Sequence, residues 1–324
     1  MSLTLYVNHP KKLFFNKTLT IGEVLSLMPK LQEFGIDKED KNFDMRGFLN
    51  QRMQENYYLL LGIDGESARG FEFSFQKLED GKSYYSVRVF TPSSEADWKH
   101  ALSFTKTLAN KLGVNVLTEN GDTLTPDELS LFDYRQDILY GLNSLFGEHT
   151  SSKEGVEAES FIIFGIHNPV SFNPEIKEKL LSDPDPVEAF SKFITDIQNL
   201  DAYRAKQFFY QDKNDGSIFG SYTLSEDCVT ILPFKPSVEY DNLNIVKPED
   251  VKYWKMNLVS FTADEKGSET PKILALLEYN DFIKHLPKEK YQFIDADNIL
   301  VERFTKEEMI AVLETMGEAH QAEV

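Results

Sequence analysis

Cysteine and histidine are scarce in this chain, whose 324 residues include one cysteine, Cys228, and six scattered histidines. A single cysteine cannot form an internal disulfide, so the sequence gives no sign of an oxidising compartment. A Gly-rich phosphate loop is missing, and so is any cluster of residues at the spacing of metal ligands. These absences exclude the familiar disulfide, nucleotide and metal frameworks, and we expect no cofactor.

Long apolar runs are missing as well. None approaches the ~20 residues that a helix needs to cross a bilayer. The first ten residues lack the basic start and the apolar run of a secretory signal. By elimination, these features predict a cytoplasmic protein with no membrane partner.

Positive charge is in short supply, because 34 Lys and Arg face 53 Asp and Glu, which gives a formal net charge of −19. Such a surface repels the phosphates of nucleic acids and of anionic lipids, so neither is an expected partner. Residues 1–150 hold 21 acidic and 16 basic residues (net −5), which leaves 32 and 18 (net −14) for the remainder. A solvated surface is the ordinary interpretation, and an acidic face for a basic protein partner is the alternative.

Apolar and aromatic residues, in contrast, are plentiful at 41% and 13% of the chain. Disordered chains have few aromatics, so this composition predicts a folded protein, and the length predicts about two domains. Residues 147–160 are mostly small and polar and include two glycines, as is typical of a linker. We therefore predict an N-terminal α+β domain over residues 1–148 and a C-terminal α+β domain over residues 158–324.

Strand and helix signals recur along both halves. Phe71, Phe73 and Phe75 follow the period of a strand, and Asp-Gly and Asn-Gly pairs favour hairpin turns. Because such short turns join antiparallel strands, we predict an α+β fold of mainly antiparallel sheets with packed amphipathic helices. Residues 91–121 and 183–216 share a faint pattern, which a duplication or the common order of elements in α+β folds would both explain.

Capping signals predict where several helices begin and end. Thr20 precedes a Glu by three residues, as in a capping box. Residues 91–94 and Gly113 bound the clearest amphipathic helix of the chain. The Thr-Pro pair at Thr125 predicts one further helix, which we expect to reach Phe146.

Three features carry weak chemical signals. The run Gly65–Gly70 stops one residue short of a nucleophile elbow and precedes a predicted strand, whereas the elbow motif needs a helix there. A hairpin connection is therefore the simpler interpretation. Cys228 follows two carboxylates, which disfavour a reactive thiolate, so we interpret it as a structural residue. His100 lies opposite the apolar stripe of its helix, and we expect it to be solvated.

Any small-ligand site is predicted near His167 and Asn168. They directly follow residues 161–166, which we expect to form the most buried strand of the second half, and ligands of α/β sheets gather at the carboxyl ends of strands. Arg69 is a further candidate, because it ends a polar loop and its planar guanidinium can hold a carboxylate or a phosphate. A polar turn is the alternative interpretation of the His167 segment.

Two stretches together resemble a known family. One combines residues 3–7 with 19–29, and the other runs from Ala68–Ser74 through Thr91–Trp98. The set is similar to an uncharacterised bacterial family of low-GC Gram-positive bacteria, classed as a domain of unknown function. The resemblance implies a bacterial cytosolic protein without a known cofactor, and it transfers no catalytic residue.

The missing chemistry and the acidity together favour a non-enzymatic binding or protein-interaction module. The alternative is a hydrolase of unfamiliar class that uses carboxylates and a histidine. Such an enzyme would need a deep pocket that holds two facing acids, or His167 beside an acid.

Overall fold

The computed structural model of the chain describes residues 2–9, 17–36, 41–78, 81–148, 161–263 and 269–317. The chain divides into two compact units, Met1–Leu200 and Asp201–Val324. Both combine helices with sheets in which most neighbouring strands are antiparallel, so the predicted α+β class is confirmed. Within the described ranges, none of the helices combines the length and the apolar character required to cross a bilayer.

The first unit contains nine described strands and six described helices. The strands are β1 Ser2–Asn8, β2 Leu31–Glu33, β3 Tyr58–Ile63, β4 Phe71–Lys77, β5 Ser83–Phe90, β6 Val116–Thr118, β7 Thr123–Leu124, β8 Phe161–Phe164 and β9 Pro169–Phe172. The helices are α1 Ile21–Leu25, α2 Met45–Asn50, α3 Glu95–Leu112, α4 Tyr134–Glu148, α5 Pro174–Leu181 and α6 Pro186–Gln198.

Strands β1 to β7 form one seven-stranded sheet in the order β2-β3-β4-β5-β1-β6-β7, with every pair antiparallel. The alternating Phe71, Phe73 and Phe75 of β4 are buried, as their spacing predicts. The apolar face of α3 packs on this sheet. Both ends of α3 match the prediction, because Ser94 forms a capping box and Gly113 adopts the left-handed conformation of a helix end.

The helix predicted after Thr125 takes a different course. Glu128–Leu131 form a single 3-10 turn, Phe132 is extended, and α4 begins only at Tyr134. The break places the Phe132 ring flat against Trp98, with 5.5 Å between ring centroids. Burial of this aromatic pair outweighs the continuous helix that the Thr-Pro signal favours.

Strand β8 also departs from its prediction. It pairs only with β9, and two of its four side chains, Ile162 and Phe164, are about half exposed at 53% and 50%. In this two-stranded sheet, Ile162 and Phe164 lie on the exposed face, whereas Ile163 lies on the buried face. The continuous apolar run therefore marks a strand that is buried on one side rather than the most buried strand of its region.

The boundary between the two units differs from the predicted one. Strands β8 and β9 and helices α5 and α6 belong to the first unit, where α6 packs on α3 and α4. Most of the predicted linker, residues 149–160, lies outside the described residues. A segment of linker composition can connect elements of one unit as well as two domains, and the domains predicted from composition stay a prediction.

The second unit contains eight described strands and two described helices. The strands are β10 Tyr203–Arg204, β11 Phe208–Gln211, β12 Ile218–Ser225, β13 Thr230–Pro233, β14 Val251–Ala263, β15 Glu269–Glu278, β16 Tyr291–Phe293 and β17 Asn298–Val301. The helices are α7 Tyr279–His285 and α8 Lys306–Thr315.

These strands form two four-stranded sheets, β10-β13-β17-β16 and β11-β12-β14-β15. Most pairs are antiparallel, but β10 with β13 and β12 with β14 run parallel. Both sheets and both helices enclose one apolar core around the fully buried rings of Tyr222 and Tyr279. The strand orders of the described sheets differ between the two units, and the faint repeat in the sequence stays unexplained.

Candidate functional site

A buried carboxylate organises the polar loop between β3 and β4. Asp97 lies in the first turn of α3 and is fully buried. The backbone N–H groups of Ala68, Arg69 and Gly70 donate to its two oxygens at 3.1, 3.0 and 2.8 Å. Successive N–H groups that converge in this way form an anion-binding nest, and here the anion is the protein's own side chain.

The same carboxylate also takes part in the N-terminal cap of α3. The hydroxyls of Ser93 and Ser94 donate to Asp97 Oδ2 at 3.0 and 2.8 Å. Gly70 is required on the other side, since it has a φ of +64° and a Cβ there would collide with the carbonyl oxygen of Leu61. Asp97 therefore joins residues 68–74 to residues 91–98, the two segments of the second stretch that carried the family resemblance.

Arg69, one of the predicted ligand residues, is turned toward the protein. Its Nε donates to the carbonyl of Phe164 at 3.0 Å and its Nη1 to that of Pro92 at 2.6 Å. The guanidinium also lies over the Phe90 ring, 4.9 Å from its centroid. Burial lowers the pKa of Arg69 to about 10, against the opposing pull of Asp97. In this geometry the guanidinium connects segments of main chain, and its role in ligand binding stays a prediction.

His167 and Asn168 are fixed through a glutamine. Both backbone N–H groups donate to Gln198 Oε1, at 2.9 and 2.8 Å, and Gln198 Nε2 donates to the carbonyl of Asn168 at 2.9 Å. The His167 ring is exposed. Its Nε2 lies 3.1 Å from Asp64 Oδ1, and its centroid lies 5.3 Å from that of Phe34.

The structure brings the predicted ligand segments together, and no pattern in the sequence indicates this proximity. The backbone N–H of Ile166 donates to the carbonyl of Ala68 at 2.9 Å, next to Arg69. The Asn168 side chain, however, is buried and donates to the carbonyl of Ile197 at 3.2 Å. Only the ring of His167 remains at the surface, beside one exposed acid rather than in a deep pocket.

A hydrogen-bonded chain beside the same loop escaped the sequence analysis. His100 Nδ1 lies 3.2 Å from Ser67 Oγ, and Nε2 lies 3.2 Å from Glu66 Oε2. The His100 side chain is only 13% exposed, so its predicted solvation is wrong. Ser67 is fully buried, and its hydroxyl accepts from the backbone N–H of Ile63 at 3.1 Å. The near-match to a nucleophile elbow at Gly65–Gly70 was the signal for this group.

Metal-binding chemistry finds no support in the described ranges. They contain no group of three or more His, Cys, Asp or Glu residues that could hold a metal ion. Cys228 is a free, partly buried thiol.

The clearest surface feature lies in the second unit, in the connection from β13 to β14. Tyr240, Leu243 and Ile245 are 69%, 42% and 73% exposed, although they fall within six residues. We call residues 240–245 the apolar loop. The next residue, Val246, is buried and anchors its end. Three large apolar side chains in one short exposed segment are unusual, because solvent-facing loops are mostly polar.

The apolar loop rests on one buried side chain. Gln207 Oε1 accepts from the Glu239 backbone N–H and from Asn242 Nδ2, both at 3.0 Å. Gln207 Nε2 donates to the Ser237 carbonyl at 2.6 Å and to the hydroxyl of Tyr222. The amide thus satisfies polar groups on both sides of the turn and connects the loop to the buried Tyr222.

A half-buried ion pair adds to this support. Arg204 Nη2 lies 3.3 Å from Glu239 Oε1. Burial raises the pKa of Glu239, and Arg204 opposes that rise. In sequence, the only signal of this loop is the run Tyr-Asp-Asn-Leu-Asn-Ile, whose apolar residues match neither a strand nor a helix period.

Comparison with known families identifies the chain, which belongs to the family described as "Domain of unknown function (DUF4299)", whose model matches residues 2–312. The match confirms the expected membership of a family of unknown function, and the bacterial origin stays a prediction. Neither the curated proteins nor the solved structures yielded a match to the chain.

Proposed function

We propose that the protein is a non-enzymatic binding module that docks a basic protein partner through the apolar loop. The observation that carries this proposal is the exposure of Leu243 and Ile245 on a loop that Gln207 holds rigid. Burying one such side chain at an interface contributes about 1.5–3 kcal/mol. A loop that is already ordered loses little conformational entropy on binding.

The choice of a basic partner rests on charge. The second unit holds 23 acidic and 14 basic residues, net −9, and the first unit holds 30 and 20, net −10. Both units are therefore acidic, with similar net charges. A protein with this field attracts cationic surfaces and repels nucleic acid and anionic membranes. A cytoplasmic location fits the single cysteine, and we propose it together with the bacterial origin that the resemblance implied.

The test is an affinity capture from a lysate of source cells at low and at moderate salt. The wild-type chain is compared with the double variant Leu243→Ser/Ile245→Ser. We expect a basic protein that the wild type captures at low salt and loses at moderate salt, and that the double variant captures at least about tenfold less well.

Ile273→Ser provides the matched control, because Ile273 is 54% exposed on β15. This variant should capture the partner as the wild type does. Equal capture by the double variant, or capture only of acidic proteins, would refute docking through the apolar loop.

A second candidate function is hydrolysis, and one observation favours it. Ser67, His100 and Glu66 form the hydrogen-bonded order of a nucleophile, a base and an orienting acid. The full burial of Ser67 weighs against it, because a substrate must reach the hydroxyl. Labelling with a fluorophosphonate probe decides the matter. Stoichiometric labelling that Ser67→Ala abolishes would favour the hydrolase, and absence of labelling would favour the binding module.

A further inference from the structure

The first unit contains a cavity of about 260 Å³ on the outer side of α3. Lys99, Leu102, Ser103 and Lys106 face it from the helix, at the spacing of a single helical face. The 3-10 turn Glu128–Leu131 and the residues after it form the opposite wall. The break between that turn and α4 therefore creates the cavity.

The walls of the cavity are mainly apolar. Leu102 and Leu129 are buried, and the rings of Phe132 and Tyr134 complete the lining. Behind both rings lies Trp98, with centroid distances of 5.5 and 6.4 Å and nearly parallel planes. Such stacking holds the two rings in place, so the apolar surface is preformed.

Two ammonium groups occupy the same rim, but they differ in their partners. Lys106 Nζ pairs with Asp127 Oδ1 at 2.8 Å. Lys99 Nζ lies 5.9 Å from the centre of the Tyr134 ring and forms no ion pair within the described residues. In a chain of net charge −19, an unpaired lysine over an apolar cavity is available to an anion.

We propose that this cavity binds a small organic acid, with the apolar body against Leu129 and Phe132 and the carboxylate beside Lys99. The inference concerns a site of the first unit and is independent of the apolar loop. The volume lies just below the range of ~300–1,000 Å³ that is usual for drug-sized ligands, which favours a small molecule. One unpaired cation balances a singly charged carboxylate, whereas a doubly charged phosphate would also face the Asp127 carboxylate.

The probe is 3-phenylpropionate, and its uncharged match is 3-phenylpropanol. Binding is followed by the fluorescence of Trp98 in a Trp254→Phe background, since the chain has two tryptophans. We expect the acid to bind about three- to fivefold more tightly than the alcohol, because Lys99 is exposed and an exposed ion pair contributes modestly. Equal affinities for acid and alcohol, or no binding of either, would overturn the proposal.

Variants then locate the charge. Lys99→Met should weaken the acid about three- to fivefold and leave the alcohol unchanged, so the two affinities become equal. Lys111→Met is the control, because Lys111 is an exposed lysine in the last turn of the same helix. Lys111→Met should leave both affinities unchanged. An equal loss of acid binding in Lys99→Met and Lys111→Met would show that only the net charge of the protein matters, and it would contradict a specific site.

Asp127→Asn supplies a change in the opposite direction. Asp127 makes no side-chain hydrogen bond to its own 3-10 turn, so the substitution leaves the wall intact. It releases Lys106 and removes a negative charge from the rim, and binding of 3-phenylpropionate should strengthen about threefold. Weaker binding of the acid to this variant would count against the proposed position of the carboxylate.

Discussion

Each of the two units fixes a loop with one buried polar side chain, but one loop faces the protein interior and the other faces solvent. In the first unit Asp97 binds three backbone N–H groups of the loop between β3 and β4, and this loop faces inward. In the second unit Gln207 binds the chain before the apolar loop, and the loop presents Leu243 and Ile245 to solvent. In both units a buried polar side chain fixes a loop through hydrogen bonds. The neighbouring side chains decide whether that loop is buried or exposed to solvent.

The chemistry of the two side chains also differs. Asp97 accepts charge-assisted hydrogen bonds as an anion, whereas Gln207 both donates and accepts as a neutral amide. Loss of a charged acceptor leaves more unsatisfied donors than loss of an amide. The first unit should therefore depend more strongly on its single residue than the second.

The largest expected effect is that of Asp97→Asn. The amide nitrogen would face the N–H groups that the carboxylate accepted, and the first unit should lose about 3–5 kcal/mol of unfolding free energy. Guanidinium unfolding followed by Trp98 fluorescence, in a Trp254→Phe background, measures the loss. Exposed Asp122 gives the control, and Asp122→Asn should stay within about 0.5 kcal/mol of the parent protein. A similarly small change for Asp97→Asn would refute the central role of Asp97.

Gln207→Ala should have the next largest effect. Four hydrogen bonds are lost, and the second unit should be destabilised by about 2 kcal/mol. Hydrogen exchange of the Glu239 amide should accelerate, because its acceptor is gone. Gln292, an exposed residue of β16, offers the matched control Gln292→Ala. Unchanged exchange at Glu239 would show that the apolar loop keeps its conformation without Gln207.

The stability of the first unit should also depend on pH through Asp185. Asp185 caps α6 in the first unit. The Glu188 amide, the largest cause, and the Arg135 guanidinium lower the pKa of Asp185 below 3.8. A lowered folded pKa contributes stability above the ordinary value, and this stability is lost as the pH falls through the lowered value. Asp185→Asn keeps a good cap but removes the charge.

The melting temperature of Asp185→Asn should therefore lie below that of the wild type at pH 6, and the difference should shrink below about pH 4. Thermal unfolding of the first unit between pH 2 and pH 7 provides the measurement. A difference that is constant over this range would contradict the assigned role of the charge.

The smallest effect on stability is expected for Leu243→Ser/Ile245→Ser. Both side chains are exposed, so the unfolding free energy of the second unit should change by about 0.5 kcal/mol or less. Denaturant unfolding followed by Trp254 fluorescence measures the change. A large loss of stability would mean that the apolar loop serves the fold, and the contrast between the hidden and the displayed loop would fail.

Local signals were predicted well from the sequence. The capping box at Thr20 forms as its residues indicate, and α3 begins after residues 91–94 and ends at Gly113 as predicted. These features depend on residues within about one helical turn, so neighbouring side chains in sequence suffice to predict them. The buried face of β4 follows for the same reason, since alternation of Phe71, Phe73 and Phe75 specifies one face of a strand.

Predictions that needed distant partners were less successful. His100 lies on the polar face of its helix, yet Ser67 and Glu66, more than thirty residues away, enclose it. The helix expected after Thr125 breaks because Phe132 stacks on Trp98 of another helix. In both cases a tertiary contact outweighs a local preference, which is a weak determinant by comparison.

What the sequence by itself determined is the class of this protein: a folded α+β chain of high net negative charge, with helix ends and strand faces written in short patterns. Its caps, turns and alternation act over a few residues, so no tertiary structure is needed to read them. The tertiary structure decided where the units divide and which polar groups form hydrogen bonds within the protein. Nothing in the sequence sets Asp97, Gln207 or Lys99 apart. In the structure, Asp97 accepts from backbone amides, Gln207 supports the apolar loop and Lys99 lines the cavity, and these surroundings assign their roles. These surroundings come from segments far apart along the chain, whose approach depends on the packing of the whole unit.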